Sequence, residues 1–149
     1  MAEVFFYHLT ESTLEDALPA LLEKSLQRGW KAVVQTGTEE RRDALDAHLW
    51  TYREDSFLAH GTDREPFAAE QPVLLTMESA NPNGAAIRFL VDGAPIPDVS
   101  TYERTVFVFD GHDQAQVEGA RAQWKTLKGE GHACTYWQQT PDRRWDSRG

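Results

Sequence analysis

Arg121, Trp124, Lys125 and Lys128 stand three and four residues apart in the run Arg121-Ala-Gln-Trp-Lys-Thr-Leu-Lys128. On an α-helix, at ~100° per residue, that spacing gathers all four within about one third of the circumference. Three cations bordering an indole can pair with carboxylates while the ring offers apolar contact, which is the chemistry that receives a short acidic peptide. Most cationic helix faces are merely solvated. This one is set apart by the charge around it. The chain has 15 Lys+Arg against 24 Asp+Glu, a formal net charge of -9. Nine basic and 21 acidic side chains fall in residues 1–120, and six and three in residues 121–149. A basic region on an acidic body suits an anion of modest size, and the overall acidity argues against a broad grip on a nucleic-acid backbone.

Two other groups of residues invite a chemical reading. Trp50, Tyr52 and Phe57 alternate with Arg53, Glu54 and Asp55 in a stretch, residues 50–72, that has no steady period and contains Gly61, Pro66 and Pro72. Rings crowded into a loop either fold back as a small core or form the wall of a pocket, and the two are compatible. Asp92, Asp110, His112 and Asp113 stand just past strand-like runs, where open α/β sheets bind ligands, and hard oxygens suit Mg²⁺. A small Mg²⁺-dependent phosphotransfer or phosphohydrolase enzyme using Asp92 and Asp110 is therefore the second functional reading. Turns at Asp-Gly and a helix cap at Asp113 account for the same residues without a metal.

Other catalytic patterns are missing. The loop after the first strand, Tyr7-His8-Leu9-Thr10-Glu11, has no glycine to admit a phosphate, and neither G-x-G-x-x-G nor a P-loop occurs there. The five histidines form no i,i+4 pair of the zinc-hydrolase type, and no G-x-S-x-G elbow is present. The single cysteine, Cys134, excludes an internal disulfide and a Cys-based metal cage, and inside a strand it reads as inert packing.

The elements that must position these residues alternate. Val4-Phe5-Phe6-Tyr7 is a buried strand. Ser12 and Glu15 form a capping-box pattern ahead of a helix with Leu14, Leu18, Leu21, Leu22 and Leu26 on one face, and Gly29 sits at its C-terminal end. Lys31–Gln35 is a second strand, and Thr38-Glu39-Glu40 opens a second helix carrying Leu45 and Leu49. Val73–Thr76, Ile87–Val91 and Thr105–Phe109 are further strands, with turn chemistry at Asn81-Pro82-Asn83-Gly84. Asp113, with Gln116 three residues on, begins a third helix reaching about Gly129, whose Val117, Ala120 and Leu127 should face the sheet. Ala133–Trp137 is the last strand, and residues 140–149 are a polar tail. The expectation is one α/β domain over 1–149. At 149 residues, 40% hydrophobic and 26% charged, with no membrane-length apolar run and no basic, apolar leader at Met1-Ala2-Glu3-Val4, it reads as a cytoplasmic protein in a reducing compartment.

The ordered set Phe6-Tyr7, Leu49-Trp50, Asp55-Ser56-Phe57 with His60, Pro72-Val73, Asn81-Pro-Asn-Gly84 through Arg88-Phe-Leu-Val91, and Arg121-Ala-Gln-Trp-Lys125 followed by Gly131 resembles the chi subunit family of bacterial DNA polymerase III. That resemblance implies a three-layer α/β/α sandwich with a mostly parallel sheet, Rossmann-like but without a nucleotide-binding loop. It implies no catalysis of its own, no cofactor and no metal. The family role is to link the clamp loader to single-stranded DNA-binding protein by holding that protein's acidic, Phe-terminated C-terminal tail. Carried over, the pocket aromatics are Trp50, Phe57 and Trp124, with Phe109 a wall residue at a strand end, and the basic positions are Arg121, Lys125 and Lys128. Trp124 stands where the family commonly has tyrosine. Further implied partners are clamp-loader subunits, reached through the small psi subunit in the family, with DNA met only indirectly and no membrane.

Overall fold

A parallel sheet covered on both faces needs strands that are apolar throughout, and Val73–Thr76 and Ile87–Val91 are buried at every residue. In the computed structural model, which describes residues 3–51, 60–63, 68–78, 80–91, 102–142 and 144–147, the chain runs β1 (Glu3–Leu9), α1 (Leu14–Gln27), β2 (Ala32–Gln35), α2 (Glu39–Thr51), β3 (Gly61–Thr62), a 3-10 turn at Ala68–Glu70, β4 (Val73–Thr76), β5 (Ile87–Val91), β6 (Arg104–Asp110), α3 (Gln114–Gly129), β7 (Ala133–Gln139) and β8 (Trp145–Ser147). One sheet holds the eight strands of the described residues in the order β3-β4-β2-β5-β6-β1-β7-β8. Among the described residues every pairing is parallel except β7 with β8.

The alternation along β1 divides the core between two faces. Leu9 joins Leu14, Leu18, Leu22, Leu45 and Leu49, so α1 and α2 cover one face. Val4 and Phe6 join Phe107, Phe109, Ala120 and Leu127, so α3 covers the other, over β6 and β7. This is the three-layer sandwich expected from the sequence. On the α3 side, the part of the sheet near β2 and β4 is packed by Ala85, Tyr102 and Ala68.

Pro19, inside α1, cannot donate to the Glu15 carbonyl four residues earlier. His48 of α2 supplies the missing donor, its Nε2 2.7 Å from that oxygen. The Glu15 carboxylate meets Arg41 at 2.5 Å and is held below the ordinary range by that ion pair, against the opposing effect of burial. The two helices are thus joined at both the main chain and the side chain of one residue. Arg88 is a second buried device. Its guanidinium meets Gln35 Oε1 at 2.8 and 3.0 Å, the Ala80 carbonyl at 3.1 Å, the Tyr102 hydroxyl at 2.7 Å and the Glu78 carbonyl. These bonds tie β2 to β5 and to the segment ahead of it.

Three expectations need correction. The N-cap of α1 is Thr13, whose side chain accepts from the Asp16 amide at 3.2 Å, because Ser12 is engaged elsewhere: its Oγ accepts from Gln139 Nε2 at 2.9 Å. The 50–72 stretch is not wholly loop, since β3 adds to the sheet edge; a two-residue Gly-Thr strand has no periodic signal. The polar tail folds back as β8, with the Trp145 ring 4.8 Å from Tyr7.

Candidate peptide-binding site

The third helix is placed by its cap and its apolar stripe. Asp113 accepts from the amides of Ala115 and Gln116 at 3.0 and 3.3 Å, satisfying donors that the first turn leaves open. Ala120 and Leu127 are buried and Val117 partly so, which turns Arg121, Lys125 and Lys128 outward, all exposed. None of the three has a carboxylate partner among the described residues. Lys128 Nζ instead lies 5.0 Å from the Trp124 ring centroid, a cation–π contact.

Trp124 is half-buried at the border between stripe and ridge. Its ring meets Phe6 edge-to-face at 5.4 Å and Tyr136 at 5.9 Å. Tyr136 in turn meets Phe109 at 6.1 Å and His8 at 5.9 Å, and its hydroxyl lies 2.5 Å from His8 Nδ1. The structure therefore brings Arg121, Trp124, Lys125, Lys128 and Phe109 to one face. Phe109, only 5% exposed, lies beneath Tyr136 as floor rather than as an open wall. Burial lowers the His8 pKa from its ordinary value, and the nearby Arg121 and His112 charges add to this against Asp110. Burial raises the Tyr136 hydroxyl, with Arg121 opposing.

Trp50 is elsewhere. It ends α2 on the other face of the sheet, is 51% exposed, and has its ring 4.3 Å from His60. The α2 helix packs on β3 and β4, at the sheet edge away from β7. Trp50 therefore does not share a pocket with Trp124. Phe57 and Tyr52 lie outside the described residues. His8 and Tyr136 are the ridge neighbours that the sequence reading passed over. Period-two alternation from Cys134, which faces α3, would have found Tyr136.

The carboxylates considered for Mg²⁺ are engaged with the main chain. Asp110 Oδ1 accepts from the His112 amide at 2.8 Å, and Asp113 is the helix cap. No group of three His, Cys, Asp or Glu among the described residues could hold a metal ion. Asp92 lies outside them. Cys134 is partly buried, and burial raises its thiol pKa, which disfavours the thiolate.

A second crevice opens where β1 and β6 lie side by side and their following helices leave to opposite faces, the place where open α/β sheets take ligands. A cavity of about 300 Å³ lies there, with Thr10, Glu15, Arg41, Asp110 and His112 in its lining. The amides of Thr10, Glu11 and Ser12 all point to one acceptor, at 3.3, 3.0 and 2.9 Å. That acceptor is Oε1 of Gln139, from the end of β7. Three successive main-chain donors converging on one oxygen are what a phosphate would use in a related fold. Here the chain supplies the oxygen itself. Thr10 Oγ1 donates to the Gln139 carbonyl at 2.9 Å and completes the fastening.

Comparison with known proteins places the chain in a family. The chain is 28% identical to the "Probable DNA polymerase III subunit chi" of Rickettsia prowazekii (strain Madrid E) over 109 residues, 73% of this chain. The aligned part spans 66% of that relative, just under two thirds of its length. Because the family described as DNA polymerase III chi subunit, HolC, matches residues 1–135, from the first strand through α3 into β7, the chain belongs to the DNA polymerase III chi subunit family.

Proposed function

We propose that this protein is a non-catalytic accessory subunit of the DNA polymerase III holoenzyme that links the clamp loader to single-stranded DNA-binding protein in the cytoplasm. It does so by holding that protein's acidic, Phe-terminated C-terminal tail on the α3 ridge, and it meets DNA only through that partner. The observation that carries this reading is the ridge itself: Arg121, Lys125 and Lys128 exposed and without carboxylate partners, beside the half-buried Trp124 and Tyr136, on a chain of net charge -9. Carboxylates of the tail pair with the cations, and its terminal ring packs against the indole and phenol edges. Phe109 supports Tyr136 from below. Trp50, on the other layer, takes no part in this contact. The relative from Rickettsia prowazekii carries the chi name in its description, which supports the replisome setting.

The test is a fluorescence titration of the protein with the last ten residues of the host's single-stranded DNA-binding protein. Binding should be of micromolar order, as a small interface gives. It should be lost when the final Phe is removed and weakened by Arg121→Ala or Lys125→Ala with the fold intact. Equal affinity for the peptide without its Phe, or for both variants, contradicts the assignment.

A further inference from the structure

On the face of the sheet opposite α3, a cavity of about 330 Å³ lies between the C-terminal half of α1 and the first residues of β5 and β6. Its walls are apolar, with Leu21 from the helix and Ile87, Phe89 and Val106 from the sheet. Lys24, Arg28 and Arg104 line it too, and no carboxylate among the described residues does. Arg104 pairs with Glu3, but Lys24 and Arg28 have no ion pair among the described residues, and both are exposed. Arg28 stacks over Trp30 at 4.2 Å, which holds its guanidinium beside the opening. Tyr7 lines the cavity as well, and its hydroxyl has no hydrogen bond among the described residues.

We infer that this cavity is a second docking site, for an acidic peptide segment of another protein that inserts one bulky apolar side chain. The walls fit such a side chain, and Lys24 and Arg28, without an ion pair among the described residues on a chain of net charge -9, select carboxylates around it. Single-stranded nucleic acid fits less well. The rings at and beside the cavity give no stacking platform: Phe89 is buried in the sheet, and Phe5, Tyr7 and Trp137 meet one another edge-to-face or at over 6 Å rather than standing as a row of free faces. Because the site lies across the sheet from the α3 ridge, both faces can be occupied at once, and the domain becomes a bridge between two acidic partners.

The experiment titrates the ¹⁵N-labelled full chain with acetyl-Asp-Asp-Phe-Asp-Asp-amide, whose blocked end removes the free carboxylate of a C-terminal tail. Parallel titrations use the same peptide with Ala for Phe, and a short oligothymidylate. The expected result is saturable shifts at Leu21, Ser25, Ile87 and Val106, absent with the Ala peptide. Lys24→Glu with Arg28→Glu should weaken binding about tenfold or more, and Arg121→Glu should leave these shifts unchanged. Lys24 and Arg28 are surface residues, so circular dichroism of the variant should match the parent. The inference is overturned by absence of shifts at the cavity, by equal binding of the Ala peptide, by affinity indifferent to the double variant, or by tighter binding of the oligothymidylate at these residues. Failure here leaves the α3 reading standing, since that reading is tested with a free-ended tail and with Arg121 and Lys125.

Discussion

The loop after β1 and the outer face of α3 both have the makings of an anion site, and they differ in what the chain has done with them. In the loop, three amides converge on Gln139 Oε1, so donors with the geometry to cradle a phosphate are already satisfied. On α3, three cations face water without carboxylate partners among the described residues. An internal oxygen turns a ligand-binding geometry into a structural joint between β1, α1 and the end of β7. Charges left unpaired retain their capacity for a partner. The difference separates resemblance of fold from capacity to bind: a Rossmann-like sheet keeps its nest and fills it.

The strongest way to break this comparison is Gln139→Ala. The residue is buried and serves three amides, so its loss should cost about 2–3 kcal/mol, since amides left without an acceptor bear their desolvation in full. Urea denaturation should show a lower midpoint with unchanged slope. Gln139→Glu keeps the accepting oxygen and should retain more of the stability than Ala does. A midpoint unmoved by Gln139→Ala would mean that the joint is incidental.

The ridge should behave in the opposite way. Arg121→Glu or Lys125→Glu should each weaken binding of the Phe-terminated tail about tenfold, ~1.4 kcal/mol, with stability changed by less than about 0.5 kcal/mol. Raising ionic strength should weaken the same binding in the parent, because exposed charges are screened. Trp50→Ala, across the sheet, should leave tail affinity unchanged by calorimetry. A loss there equal to that of Lys125→Glu would return Trp50 to the site.

Much of this division was legible in the residues. The apolar strands, the Asp113 cap and the Arg121–Lys128 stripe are local patterns, and local geometry decides them. What was not legible depends on contacts distant in sequence. Gln139 reaches residues more than 120 positions away, and nothing in a polar residue at a strand end announces that reach. Trp50 and Trp124 look alike as aromatics near charged neighbours, and only the crossover connections put them on opposite layers. Arg88 sits inside an otherwise apolar strand, and its partners Gln35 and Tyr102 come from separate parts of the chain. Ser12 matched a cap by spacing, but the tertiary bond to Gln139 left that role to Thr13.

His8 stands between the two regions and gives the finest measure of how they differ. It lies at the end of β1 just before the filled nest, while its ring feels Arg121 of the ridge. A Cβ at Gly111 would collide with the His8 ring and the Leu9 carbonyl, so glycine at that turn lets the imidazole sit where it does. Burial first, then Arg121 and His112, lowers its folded-state pKa below the ordinary 6.5. The unfolded chain then binds the proton more readily, so this residue's contribution is fully present above about pH 6.5 and is lost as pH falls through that value toward the lowered one. The imidazole resonances of His8 should therefore titrate below those of a free histidine. Arg121→Ala should move the midpoint upward by removing one cause, and an acidic tail bound at the ridge should move it the same way by screening that cation. A His8 midpoint at or above 6.5, or one insensitive to Arg121→Ala, would show that the ridge and the end of β1 are electrically separate.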